Sequence, residues 1–312
     1  MRPQKLAVVA GPTASGKSAL AVQLTKHLNG EVVSADSMQV YAPLSIGTAR
    51  PTAEEMDGVP HHLLGFLPLS ERYSVARYVQ DAHAAIADIA ARGRLPILCG
   101  GTGLYIQSVL QNLTFSPEDE TPALRASLRQ RAEQEGGAAL LAELAAVDAE
   151  TAARLHPHDI GRIVRALEVY LSTGVTMSEQ RRRSREQPSP YDACLLVLDC
   201  RDRAVLYDRI NRRVDIMLAS GLEEEARRVL TTPDAPTALQ AIGYKELAPW
   251  IAGELSREEA VENLKRETRR YAKRQLSWFR RMEEAQFLYI DEYDTPQALE
   301  EAACVRLQAH GI

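Results

Sequence analysis

Three short segments of this chain could do chemistry together. Gly11-Pro12-Thr13-Ala14-Ser15-Gly16-Lys17-Ser18 fits the pattern G-x-x-x-x-G-K-[ST]. In such a loop the glycines let backbone N–H groups turn inward around phosphate oxygens. The lysine is a point charge for the outer phosphates, and the last hydroxyl is placed to ligate Mg²⁺. Asp36, in Ser34-Ala35-Asp36-Ser37-Met38-Gln39, follows an apolar stretch and is expected beside that loop. A carboxylate facing a phosphate pocket either binds metal or acts as a base toward a hydroxyl or amine; the plainer alternative is a cap for the next turn. Thr102, in Gly100-Gly101-Thr102-Gly103, is expected to bring a hydroxyl to the same pocket.

The elements that must position these residues are legible as apolar runs. Lys5–Ala10, Glu31–Ala35, Leu95–Cys99, Ala193–Asp199 and Phe287–Ile290 read as strands covered on both faces. Helical patterns at 18–28, 74–92, 204–219 and 257–281 alternate with or follow them, which predicts a parallel α/β sheet with right-handed crossovers. Almost a hundred residues separate the third strand from the fourth, filled by Ala/Glu/Arg-rich helical sequence. The expected fold is therefore a P-loop, nucleotide-kinase-like α/β core over 1–116 and 191–312, with an all-helical insertion domain over 117–190. The third strand ends without the carboxylate that usually holds Mg²⁺ in P-loop NTPases, and Asp199, at the end of the fourth, reads as a surface cap.

Composition narrows the setting. The 312 residues are 45% hydrophobic and 25% charged, ordinary values that exclude a disordered or fibrous chain. The longest apolar run, Ala193–Leu198, is far short of the ~20 residues that span a bilayer, and the N-terminus does not read as a signal peptide. Cys99, Cys194, Cys200 and Cys304 lack metal or disulfide spacing, so a reducing cytoplasm is expected. The net charge of -5 hides basic clusters: eight Lys/Arg against two acids between Glu262 and Arg281, and Arg181-Arg182-Arg183-Ser184-Arg185. His61-His62 and His156-Pro157-His158 read as loop hydrogen bonding, and Ile216 and Met217 as helix packing.

At this point the sequence resembles the tRNA dimethylallyltransferase (tRNA isopentenyltransferase) family. The matching segments run in order along nearly the whole chain: GPTASGKS (11–18), DSMQVY (36–41), IGTARP (46–51), PHHLL (60–64), GGTGLY (100–105), LHPHDIGRIVRALEVY (155–170), AIGYKEL (241–247) and YAKRQLSWFRR (271–281). The resemblance implies transfer of a dimethylallyl group from dimethylallyl diphosphate to N6 of adenosine 37 in the anticodon stem-loop of tRNA. It implies that the P-loop holds the donor diphosphate with Mg²⁺ through Lys17 and Ser18, that Asp36 is the general base, and that Thr102 assists. It places tRNA contacts at Asp36, Ser37, Met38 and Gln39; at Thr102 and Arg125; at Gly161, Arg162, Ile163, Val164 and Arg165; at Gln240, Ala241, Ile242, Gly243, Tyr244 and Lys245; and at Lys273, Arg274, Gln275, Leu276, Ser277, Trp278, Phe279 and Arg280. Arg209 and Arg213, one helical turn apart, are the expected extra diphosphate ligands.

Some positions depart from the family pattern. Ala42 and Ser45 stand where a basic residue and an acid are more usual, and Arg50 replaces the lysine of GTAKP. The resemblance is to the bacterial type, for which the Cys/His zinc extension of eukaryotic relatives is not expected. A cytoplasmic monomer without membrane contact is expected. Two rivals stand beside this reading: a P-loop kinase of a small metabolite or nucleotide, which would consume ATP, and a non-catalytic RNA-binding module.

Overall fold

The computed structural model describes residues 3–113, 122–186, 188–233, 237 and 241–312. Six strands form one sheet: β1 (Gln4–Ala10), β2 (Gly30–Ser34), β3 (His61–His62), β4 (Leu95–Gly100), β5 (Tyr191–Asp199) and β6 (Ala285–Tyr289). All pairs are parallel and the order is β3-β2-β4-β1-β5-β6. The apolar runs form strands because both sheet faces are covered: Leu6 to Ala10 of β1 are wholly buried beneath flanking helices. β3 was not among the expected strands. Two residues carry too little apolar signal, and His61-His62 pair with Val32 and Val33 as a strand where a loop was expected.

The chain divides into two compact units, 1–110 with 190–312, and 111–189. The second unit thus runs from 111, ahead of the expected 117. It is built from helices, among them Pro122–Glu135, Gly137–Val147 and Ile160–Thr173. Its own core gathers Leu128, Leu140, Leu144, Ile163 and Leu167. Among the described residues no helix is long and apolar enough to cross a membrane.

In the first unit the sheet order fixes the site. β1 lies between β4 and β5, and β2 lies beside β4. The loops leaving the carboxyl ends of β1, β2 and β4 are therefore neighbours, which is where open parallel sheets bind ligands.

Candidate active site

The phosphate loop leaves β1 and enters the Lys17–His27 helix through Gly16, whose φ of 89° suits glycine. Thr13, Ala14, Gly16, Lys17 and Ser18 line a cleft of about 940 Å³, while Gly11, Pro12 and Ser15 are buried. Lys17 Nζ donates to the Pro12 carbonyl at 3.3 Å. Burial pulls the Lys17 pKa below that of an ordinary lysine, Cys99 and Asp36 oppose the fall, and Arg213 adds to it. Such a cation gains from any anion that enters the cleft. Arg209 Nε donates to the Ala14 carbonyl at 2.9 Å, and Arg209 and Arg213 both line the cleft.

Asp36 lies just past β2, half-buried on the same cleft. Its Oδ1 accepts the Met38 N–H at 2.9 Å and the Gln39 N–H at 3.2 Å. The turn-capping role and the cleft-facing role therefore coexist: the cap holds the carboxylate by one oxygen and leaves the second out of the turn. Thr102 Oγ1 accepts the Ser37 N–H at 3.0 Å, and the Thr102 N–H donates to the Ala35 carbonyl at 3.1 Å. The turn after β4 is thus stitched to the Asp36 segment.

The Arg257–Phe279 helix closes this region. A Cβ on Gly103 would lie 2.4 Å from the Trp278 ring, and one on Gly101 would lie 2.3 Å from Gln275 Nε2, so only glycine admits the helix so closely. Tyr271 and Arg274 reach the cleft. Burial, followed by the Asp36 charge, pushes the Tyr271 pKa well above an ordinary phenol's. Tyr271 has no part in the site expected from sequence. The signal was its i, i+4 spacing with Gln275, a polar residue inside an otherwise apolar face.

Several expectations change in the structure. Asp199 is no surface cap: it is wholly buried and accepts from Arg203 Nη1 at 2.8 Å and Arg280 Nη2 at 2.9 Å. With its charge so matched it has little left for a metal. Ile216 is 56% exposed, and with Met217 it lines the cleft where packing was expected.

The expected RNA-contact segments divide by burial. Ser37, Met38, Gln39, Ala241, Ile242, Lys245, Arg274 and Gln275 line the cleft. Lys273, Arg274, Ser277 and Arg280 are exposed and Trp278 is half-buried, but Gln275, Leu276 and Phe279 are buried, and the side chains of the latter two pack inward. Gly161, Arg162 and Arg165 are likewise exposed on their helix, whereas Ile163 and Val164 face its core. Arg125 and Arg165 each meet the buried Glu168 at 3.0 Å. Gln240 lies outside the described residues.

Tyr244 and Gly243 are buried too. The Tyr244 hydroxyl donates to Glu225 Oε1 at 2.9 Å, and the same carboxylate accepts the N–H groups of Ser45, Ile46 and Gly47. Burial alone would raise the Glu225 pKa, but these four donors together bring it below the usual carboxylate value. Ser45, one of the departures from the family pattern, also donates its hydroxyl to Glu225 at 3.0 Å. Arg50, another, donates to the carbonyls of Tyr41 and Ala42. Both serve to hold the 45–50 loop against the cleft wall.

A phosphate loop, a cation and a carboxylate on one cleft define a P-loop enzyme acting on a phosphorylated compound. Comparison with known proteins narrows the class. The model of the IPP transferase family matches residues 39–282. The tRNA dimethylallyltransferase of Caldanaerobacter subterraneus is 45% identical over 95% of each chain, and that of Bacillus subtilis 47% over 89% of this chain and 88% of its own. Among solved structures, the tRNA isopentenylpyrophosphate transferase of Bacillus halodurans matches with a TM-score of 0.73 at 41% identity, covering 99% of this chain and 98% of that one. A eukaryotic dimethylallyltransferase acting on tRNA matches with a TM-score of 0.80 at 31% identity, covering 96% and 77%. The chain belongs to the IPP transferase family of prenyltransferases.

Proposed function

We propose that this enzyme transfers a dimethylallyl group from dimethylallyl diphosphate to N6 of adenosine 37 in the anticodon stem-loop of tRNA, releasing diphosphate. The observation that carries the reading is Lys17 and Asp36 on one cleft, close enough for their charges to interact. The new bond joins N6 to the allylic carbon. The bond from that carbon to the diphosphate oxygen breaks, and its electron pair leaves with diphosphate. The N6 proton passes to Asp36.

Positive charge builds on the allylic carbon as the leaving group departs, so catalysis needs negative charge neutralised on diphosphate. The P-loop amides, Lys17, Arg209 and Arg213 are the groups for that work. Ser18 at the helix start offers a hard oxygen donor of the kind Mg²⁺ prefers, and it would hold the ion in the cleft. Bound there, Mg²⁺ supplies further charge neutralisation to the diphosphate. Asp36, capped through one oxygen, is held in place to accept the proton, and Thr102 positions the segment around it. An adenine stacked in a loop reaches such a cleft when flipped out, at a cost of a few kcal/mol. Exposed Lys273, Arg274 and Lys245 suit the RNA backbone that accompanies it.

Four free, buried cysteines agree with a reducing cytoplasm, and the enzyme is taken to act as a monomer. The test is nucleoside mass analysis of tRNA after incubation with dimethylallyl diphosphate and Mg²⁺. An adenosine gaining one isoprene unit is the expected product. No such product, together with ATP turnover in the absence of tRNA, would replace this reading with the kinase.

A further inference from the structure

One buried side chain joins the two halves of the cleft. Gln275 is 6% exposed on the Arg257–Phe279 helix, and both ends of its amide are used. Its Oε1 accepts the Thr13 N–H of the phosphate loop at 3.0 Å. Its Nε2 donates to the Gly101 carbonyl at 2.9 Å, in the turn that carries Thr102. Gly101 lacks the Cβ that would collide with that amide. The residue before it, Arg274, lines the cleft, as does Tyr271, one turn earlier.

We infer that Gln275 is a positioning residue for the transfer reaction. It sets the spacing between the loop that holds the donor diphosphate and the Thr102–Asp36 turn that receives the acceptor amine. This rests on the proposed function, which assigns a substrate to each side. Gln275 touches neither reacting group. It acts through Thr13 on one side and through Gly101 on the other. The neutral carboxamide both accepts and donates, whereas methionine has no donor and only a weak acceptor, and glutamate in its ionised form cannot donate to Gly101. Because the same helix presents Lys273 and Arg274 outward, RNA held there bears directly on the element that fixes this spacing.

The inference separates substrate binding from turnover. Misplacement of reacting groups by about 1 Å costs about 10²-fold in rate, so Gln275→Met is expected to lose about 10- to 100-fold in kcat. Both polar atoms of the Gln275 amide bond within the protein, leaving neither for RNA, so the variant's Kd for tRNA alone should stay within about two-fold of wild type. Gln275→Glu supplies a second readout. Its buried carboxyl will titrate above the usual range, and when protonated it is close in shape to glutamine and can donate to Gly101. The ratio of its kcat to that of wild type should therefore rise as the pH is lowered from about 8 to about 6.

Wild-type enzyme is assayed first with tRNA and dimethylallyl diphosphate. Absence of prenylated tRNA there sinks the functional reading, whatever Gln275 does. With the wild type active, a Gln275→Met kcat within two-fold of it, or a flat Gln275→Glu ratio across that pH range, overturns the positioning role alone. Should the methionine variant not fold, the glutamate ratio still decides.

Discussion

Two acids at opposite ends of one strand have opposite fates. Glu31, at the start of β2, is 2% exposed, and its oxygens accept from Arg92, from Arg94 at 2.9 Å and from His62 at 2.6 Å. The hydrogen bond from Arg92 leads the causes that hold its pKa down at about 2, against the opposing effect of burial. Asp36, just beyond the other end, is half-buried, and its hydrogen bonds among the described residues come from two backbone amides to one oxygen. The first carboxylate is saturated by three cationic or ring donors and welds the edge of the sheet. The second is oriented without being neutralised by a guanidinium, and it faces a cleft. In this fold a charge is chemical where its partners are left incomplete.

Substitutions that spare shape can break that contrast. Asp36→Asn keeps the cap acceptor and the volume but removes the base. Single-turnover assays should show a loss of about 10²–10⁴-fold with tRNA affinity unchanged. Turnover within a few-fold of wild type would place Asp36 in the same structural class as Glu31.

Glu31→Gln should do the reverse, leaving kcat within about two-fold while lowering stability by about 1–3 kcal/mol, read from the urea midpoint. The gap has a pH signature. The folded-state pKa of Glu31 is depressed to about 2 from an ordinary 4.5, so its stabilisation is full above that ordinary value and fades as the pH falls toward the lower one. The midpoints of wild type and variant should converge below pH ~4.5. Parallel curves across that range would mean that the ion cluster contributes nothing.

The smallest expected effect lies on the basic helix. Arg274→Ala should weaken tRNA binding and flatten the slope of log Kd against log[salt] by about 0.7–0.9. An unchanged slope would leave Arg274 to the cleft and not to RNA phosphate.

The phosphate loop, Asp36 and five of the six strands were legible because each is a local signal. The loop pattern needs eight consecutive residues, and the buried strands show continuous apolar runs. What escaped the sequence depends on distant partners. Asp199 read as a surface cap at a strand end, yet Arg280, 81 residues away, comes in to match its charge. Glu225 gave no sign that it gathers the Ser45–Gly47 amides some 180 residues earlier. Gln275 sat in a segment that reads as an RNA contact, and only the approach of Gly101 and Thr13 shows what its amide does. Within the expected RNA-contact segments the sequence did not separate exposed from buried side chains, because an amphipathic helix turns inward a stripe of residues three or four apart that cuts across any run.

The position of β5 also sets a timetable for biogenesis. It pairs with β1 from Gln4↔Tyr191 to Ala10↔Val197, and so lies against the strand made first. A nascent chain must release the whole of 111–189 before the phosphate-loop strand gains that neighbour. Until then one flank of β1 is an unzipped edge, open to any extended polypeptide nearby. The helical unit, with a core of its own, can meanwhile ripen independently, so ribosome-stalled chains in which residue 189 has just cleared the exit tunnel should yield a protease-resistant fragment from that unit ahead of a sealed sheet.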